Sequence, residues 1–314
     1  MCRYRKILTY MVVVTFLLLP HSIYGWNSTG HMLVARIAWD NLSANERQDI
    51  VDLLMKAPSD SCLRELFPTD SRPLAERQRQ FFMGAATWPD IIRPKDQNDH
   101  RPCIKYHQRD WHFVDHFWSG ISGDPNNPPH DLSMPIASVN AAERIRAFRN
   151  LVVSNLPPEE RAMELAWILH LVGDIHQPLH TSGRVTSSEK KGDGGGNTFK
   201  LGTGKKAKSL HSYWDNIIDQ ADPKHPNEKF NKYLDRIGDE LESDFPESSF
   251  TLKPGDINAW VLESLGRAKD NAYPAKLSRG HLPNKKYQTK TLEVAQESIA
   301  ESGYRLANLL SQLF

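Results

Sequence analysis

Apolar residues recur at helical spacing along most of this chain, and strand-like alternation is scarce. Over residues 30–42, Leu33, Val34, Ile37 and Ala38 fall on one face, with Ser28 or Thr29 ahead as a cap. Residues 45–55, 138–153 and 158–172 continue the pattern. The last of these opens on Pro157, Pro158, Glu159 and Glu160, a favoured helix start. Helices are further predicted over 210–220, 226–242 and 257–272. The closing segment, 289–313, places Leu292, Ala295, Ile299, Leu306, Leu309 and Leu310 on its core face. Strand signals are weak and short. Residues 120–131 and 181–208 read as loops, rich in Gly, Pro and Asn in the first and in Gly, Ser and Lys in the second. No internal repeat is visible. The simplest reading is a mainly α chain folded as one all-helical domain.

The first 25 residues break this pattern. Arg3, Arg5 and Lys6 precede an almost wholly apolar run over 7–20, and the small residues Ser22 and Gly25 follow. That three-part order is that of a secretory signal peptide, so residues 1–25 are expected to be removed and 26–314 to form the mature domain. An uncleaved signal anchor is the alternative. The run falls short of the roughly 20 residues that span a bilayer comfortably, and no later segment could cross one. Cys2 precedes the apolar run, unlike a lipoprotein cysteine. The expected location is secreted or periplasmic, and the expected state a monomer with no membrane anchor.

Charge narrows the options. Without the leader the chain holds 36 Lys and Arg against 38 Asp and Glu. Bulk attraction to a polyanion is thereby excluded, and an anionic substrate must be held locally. Cys62 and Cys103 are the two cysteines left. In an exported protein such a pair suggests one disulfide, with two free thiols as the alternative.

The candidate chemistry lies in the histidines. His170 and Asp174 stand four residues apart on a predicted helix and so share a face, and Pro178 ends that helix before His180. His211 and Asp215 repeat the spacing. Zinc takes neutral imidazole nitrogens and carboxylate oxygens, about four per ion. One such pair reads more simply as a capped or core histidine; two pairs and a further histidine favour a metal. No HExxH metalloprotease sequence is present. Upstream, Trp88, Asp90 and Arg93 form a WxDxxR string, and His112, Phe113 and Asp115 an HFxD string. Each taken alone would be structural.

Taken together these strings resemble the zinc-dependent single-strand nuclease and 3′-nucleotidase family of the S1/P1 type, within the zinc phospholipase C and nuclease superfamily. The likeness rests on Trp26 with His31, WxDxxR, HFxD, HxxGDxHQPLH, the Gly-Gly-Asn loop and HxxWD, in that order, and extends to the closing Gly303, Tyr304, Arg305, Leu306 and Ala307. It implies a mainly α-helical fold around three Zn2+ ions. Asp90, His112, His170 and Asp174 would hold the first, and His180, His211 and Asp215 the second. His31, Asp174 as a bridge, and the amine and carbonyl of Trp26 would hold the third, which demands a free amine at Trp26. A metal-bound water would supply the nucleophile, giving 5′-phosphorylated products from single-stranded DNA and RNA, with 3′-nucleotidase action alongside.

Asp90, Arg93 and Asp174 are the implied catalytic residues. Arg93 would also bind phosphate, Phe113 would stack a base, and Asp115 would bond that base's edge. Asn197 touches substrate or only shapes its loop, and so does Asp193. His176 is expected to make a structural bond. His100, His107, His116, His130, His225 and His281 read as surface or loop residues. The sequon at Asn27 is expected to stay unused, because a sugar there would crowd Trp26.

Two rivals remain. A zinc-dependent phospholipase C shares the implied fold, but typically carries glutamate where Asp215 stands. A non-catalytic zinc protein would close its coordination shells, whereas this donor set leaves room for water.

Overall fold

The computed structural model describes residues 25–204 and 208–314, so the leader expected over 1–25 lies, but for Gly25, outside the described residues. Within these there are eleven α-helices and only short strands. The first is α1 (Ser28–Asp40), which starts because Asn27 accepts from Gly30 N at 3.1 Å. In α2 (Ala44–Leu54), Ser43 and Glu46 form a reciprocal capping box. Two helices missing from the periodicity reading follow, α3 (Leu74–Ala85) and the single turn α4 (Trp88–Ile91). Then come α5 (Ala141–Val152), capped by Asn140, and α6 (Pro158–Asp174), which opens with Pro158.

The predicted helix over 210–220 is two elements, α7 (Leu210–Asp215) and α8 (Ile217–Ala221), joined at Asn216. Next are α9 (Phe230–Asp244) and α10 (Ile257–Arg267), with the tail of the latter relaxing into a π turn, Ala268–Ala272. The last helix, α11 (Lys285–Ser311), starts four residues earlier than its periodicity indicates because Asn284 caps it through Tyr287 N at 2.9 Å.

From Ala162 onward α6 buries almost every residue, which marks it as the central helix. Against it pack α5, α2, α11 and α1, while α1 also lies along α11 and α3. Gly303 on α11 permits the α1 contact: a side chain there would reach within 2.6 Å of Ile37. The disulfide between Cys62 and Cys103 forms, with Cα atoms 5.7 Å apart. It closes a 41-residue separation that contains α3 and α4. Chain-entropy arguments give such a closure roughly 4 kcal/mol.

An all-helical reading leaves out two small sheets. In one, β1 (His116–Ser119) pairs antiparallel with β2 (His130–Asp131) and parallel with β3 (Ser182–Arg184). The register sets His116 opposite Ser182, and Val114 N donates to His180 O at 2.7 Å. This clamps the HFxD segment to the turn that carries His180. The second sheet, β4 (Lys200–Leu201) with β5 (Lys208–Ser209), closes the Gly-rich loop just before α7.

Candidate metal centre

Five histidines and aspartates from α6, α7 and the intervening turn converge with residues from α1, α4 and the HFxD segment. On α6, His170 and Asp174 face the same side, as their spacing predicts, with Nε2 to Oδ2 at 3.1 Å. His112 joins them, its Nδ1 3.0 Å from Asp174 Oδ2 and 3.0 Å from His170 Nε2. His31 of α1 stacks on His170 with ring centres 3.9 Å apart and sets Nε2 3.5 Å from Asp174 Oδ1. That close approach requires Gly173, because a Cβ there would come within 2.8 Å of His31 Nδ1. His180 Nδ1 lies 3.6 Å from Asp174 Oδ1, and His180 Nε2 faces His211 Nε2 at 3.1 Å.

Donor atoms within 4.8 Å of one another form three groups: His31, Asp90 and His170; His112, His170 and Asp174; His180, His211 and Asp215. Most of the residues expected to bind metal are thus brought together. All of these are buried except Asp90, which is half-buried and bonds Arg93 at 3.1 Å.

The ring tautomers test whether a cation fits. Nδ1 of His170, His180 and His211 each lies against a backbone carbonyl: Ala86 O at 2.8 Å, His112 O at 2.6 Å and Gly195 O at 2.7 Å. A carbonyl only accepts, so Nδ1 is the protonated nitrogen and Nε2 carries the lone pair. Nε2 of His180 and Nε2 of His211 lie 3.1 Å apart, so in the neutral rings both lone pairs are available to one metal cation. Gly195 holds its carbonyl in place with φ at +59°. Nearby, both ring nitrogens of His31 and Oδ1 of Asp174 are buried and have no hydrogen-bond partner among the described residues. The donor set fits metal cations.

Without a metal the charges of the cluster are uneven: burial works against the charge on His170, but Asp174 and Asp90 outweigh it and raise that ring. Burial works against the charge on Asp174, but His170, His180 and His112 outweigh it and hold the carboxyl well below the ordinary range. Burial, then His170, lowers His31 to about 4, so it stands neutral, as a ligand must. Burial raises Asp215, with Gln177 Nε2 bonding its Oδ1 at 2.7 Å. Gln177 also caps Leu179 N at 2.6 Å, and so positions His180 and Asp215 together. Its place in the HQPLH string was the signal for it, but that string gave no reason to assign it a role.

At the N-terminal side, Trp26 is fully buried and Asn27 N donates to Asp215 O at 3.0 Å. Gly25 presses on the centre: a Cβ built there would fall 1.7 Å from Asp174 Oδ1 and 2.9 Å from His31 Nε2. The Asn27 side chain bonds Asp219 Oδ2 at 2.6 Å and Asn216 Oδ1 at 3.1 Å, so its amide is engaged in the fold.

The remaining expected residues divide. Half-buried Phe113 and Asp115 flank the His180 turn, and burial followed by Asp193 raises Asp115 to about 6. Asn197 bonds Gly194 O at 2.8 Å, and Asp193 accepts from Tyr273 Oη at 2.7 Å; both shape the loop. His176 makes structural bonds to Val172 O at 2.7 Å and to Arg305 Nη1 at 3.0 Å. Two of the histidines read as surface or loop residues are half-buried: His107 in a loop beside His112, ring centres 6.3 Å apart, and His116 in β1 rather than a loop.

Comparison with known proteins gives one consistent result. The S1/P1 nuclease family matches residues 26–314. Nuclease S1 of Aspergillus oryzae is 22% identical over 316 residues, which cover 93% of this chain and 92% of that protein. Endonuclease 2 of Arabidopsis thaliana is 24% identical over 317 residues, covering 97% and 96%. Endonuclease 5 of the same plant is 25% identical over 316 residues, covering 96% of each.

Proposed function

The chain belongs to the S1/P1 nuclease family and is a hydrolase of nucleic-acid ester bonds, and we propose that it is a zinc-dependent endonuclease of single-stranded DNA and RNA, with 3′-nucleotidase activity, exported after loss of residues 1–25. The observation that carries the metal part is the convergence of His and Asp donor atoms in three groups, each within 4.8 Å, with Nδ1 of His170, His180 and His211 bonded to backbone carbonyls. Three ions would be held as the resemblance implies. Asp90, His112, His170 and Asp174 would take one. His180, His211 and Asp215 would take another. His31, Asp174 and the amine and carbonyl of Trp26 would take the third. Zinc held by these residues would supply Lewis acidity, acidifying water and screening phosphate charge.

The protein's own residues do the rest. Arg93, tethered to Asp90 at 3.1 Å, presents a planar guanidinium to a phosphate beside the cluster. Phe113 stacks a base, and Asp115 accepts a hydrogen bond from its edge. A base held so must be unpaired, which gives a single-strand preference that depends little on sequence. Gly25 bears on maturation. With residue 25 attached, the chain lies against His31 and Asp174, and Trp26 has no free amine. Removal of the leader would open the position that the third ion takes.

The test gives zinc-loaded chain 26–314, and the same chain begun at Gly25, denatured DNA and short-chain phosphatidylcholine side by side, with a chelator control. Expected is chelator-sensitive cutting of DNA alone, lost or much reduced with Gly25 attached, along with one zinc. Lipid cleavage alone would overturn the base-binding reading. Full zinc and activity with Gly25 attached would overturn the amine ligand.

A further inference from the structure

Charge is unevenly spread over this molecule. The chain after residue 25 is slightly acidic, yet residues 276–290 hold Lys276, Arg279, Lys285, Lys286 and Lys290 with no acidic residue among them. The Gly-rich loop is basic too, with Lys190, Lys191, Lys200 and Lys208 all exposed. The fold sets the two segments side by side. Gly280 N donates to Lys200 O at 2.8 Å. Arg279 donates to Thr198 O at 2.6 Å, pairs with Glu189 and covers the Phe199 ring at 4.5 Å.

A cavity of about 590 Å³ opens along residues 276–290. Lys276, Lys286 and Lys290 line it, with Asp270 as the one acid and Leu277 and Leu282 as apolar wall. Lys290 is paired to Glu293 at 3.1 Å, but Lys276 and Lys286 form no ion pair with a described residue. Leu282 is 77% exposed, an apolar surface with nothing over it. The cavity wall is linked to the metal-binding elements. Tyr287 in its wall accepts from Trp214 Nε1 at 3.1 Å, one residue before Asp215. Pro274, also in the wall, follows Tyr273, whose hydroxyl holds Asp193 of the Gly-rich loop.

We propose that this basic cavity is an accessory binding site for single-stranded nucleic acid, gripping phosphates and a base of the strand at a distance from the scissile bond. It rests on the nuclease reading above. Unpaired ammonium groups beside an open apolar wall suit a ligand that alternates phosphates with flat faces. A protein without bulk attraction for polyanions gains most from such a local patch, because each phosphate contact releases a counterion.

The test compares the wild type with the double variant Lys276→Gln, Lys286→Gln and with the charge-keeping Lys276→Arg, Lys286→Arg. Binding of a fluorescent, hydrolysis-resistant phosphorothioate oligothymidylate to the zinc-loaded protein is measured by anisotropy across a salt series, and cleavage kinetics are measured on a long oligonucleotide and on a dinucleotide. The Gln variant is expected to bind roughly tenfold more weakly at low salt. Its slope of log K against log salt should drop by about 1.4, from two lost contacts at about 0.7 each. KM should rise on the long strand alone, and the Arg variant should behave as wild type. Unchanged slope and KM would overturn the proposal, and so would an equal loss on the dinucleotide. A base-free polyphosphate binding as tightly as the oligonucleotide would overturn it as well. Salt-sensitive binding that the Gln variant loses, in a wild type that cuts no nucleic acid when loaded with zinc, would support the accessory site and sink the nuclease reading instead.

Discussion

Two buried polar clusters meet at the C-terminal end of α6, and they differ in how completely their atoms are satisfied. In one, His176 Nδ1 donates to Val172 O and its Nε2 accepts from Arg305. Arg305 in turn bonds Leu252 O at 3.1 Å, pairs with Glu301 at 2.7 Å and contacts Glu263. Burial and the Arg305 charge keep His176 neutral, which matches its role as acceptor. In the other, His31 and Asp174 Oδ1 have buried polar atoms without partners, and ring nitrogens face ring nitrogens. A buried unsatisfied polar atom costs about 1–3 kcal/mol, so several in one place mean either instability or a missing cation. The contrast teaches that burial and histidine content do not mark a binding site. Leftover hydrogen-bonding capacity, aimed at a common point, does.

The largest effect expected from this contrast is at Asp174, which lies within 3.6 Å of His31, His112, His170 and His180. Asp174→Ala should lower nuclease activity on the order of 10³-fold or more, since it removes the one carboxylate common to the cluster. Zinc measured by atomic absorption should fall with it. Near-normal activity and zinc content would break the comparison, because the unsatisfied cluster would then be as inert as the satisfied one.

Arg305→Leu probes the other side. Breaking a buried charge network by removing one partner costs roughly 3 kcal/mol, which urea unfolding would read as a lower midpoint at unchanged slope. The folded variant should keep its zinc and its kcat within about threefold. Loss of zinc at full stability would mean that the His176 cluster serves the metal centre rather than the fold.

Much of this was legible in the sequence because the chemistry is local. His170 with Asp174 and His211 with Asp215 sit four apart, and a helix alone brings each pair together. The long amphipathic helices were equally visible. What escaped depends on contacts between distant segments. Helix α3 carries its buried residues only in its second half, Phe81 to Ala85, so its periodicity is short. The pairing of β1 with β3 rests on a three-residue register that no alternation announces. Arg305 lies 129 positions from His176, and nothing near either residue foretells the bond. Asn197 stood near a ligand in sequence, and only the turn geometry gives its amide to Gly194.

The smallest effect expected sharpens the comparison within α6 itself. Glu164 stands ten residues before Asp174 on the same helix, half-buried, with Oε2 out of water and no hydrogen-bond partner among the described residues. Its carboxyl is pushed up to about 7, chiefly by burial, with Arg144 opposing and Glu160 assisting. Asp174 shifts the other way because histidines surround it. The folded-state value for Glu164 thus exceeds its ordinary 4.5. Between those limits the folded protein holds more proton than the unfolded chain, so stability falls as pH rises through the window, and the full cost is present above about 7. Glu164→Gln removes the ionisation. Partial solvent access trims the benefit, which leaves a gain of roughly 1–2 kcal/mol above pH 7 and none below about pH 4.5. Thermal unfolding at pH 4.5, 6 and 8 would read it as a midpoint difference that grows with pH, at constant zinc content. A difference of the same size at all three values would mean that the gain comes from packing rather than charge, and that an unpartnered carboxylate on α6 costs little unless other donors converge on it.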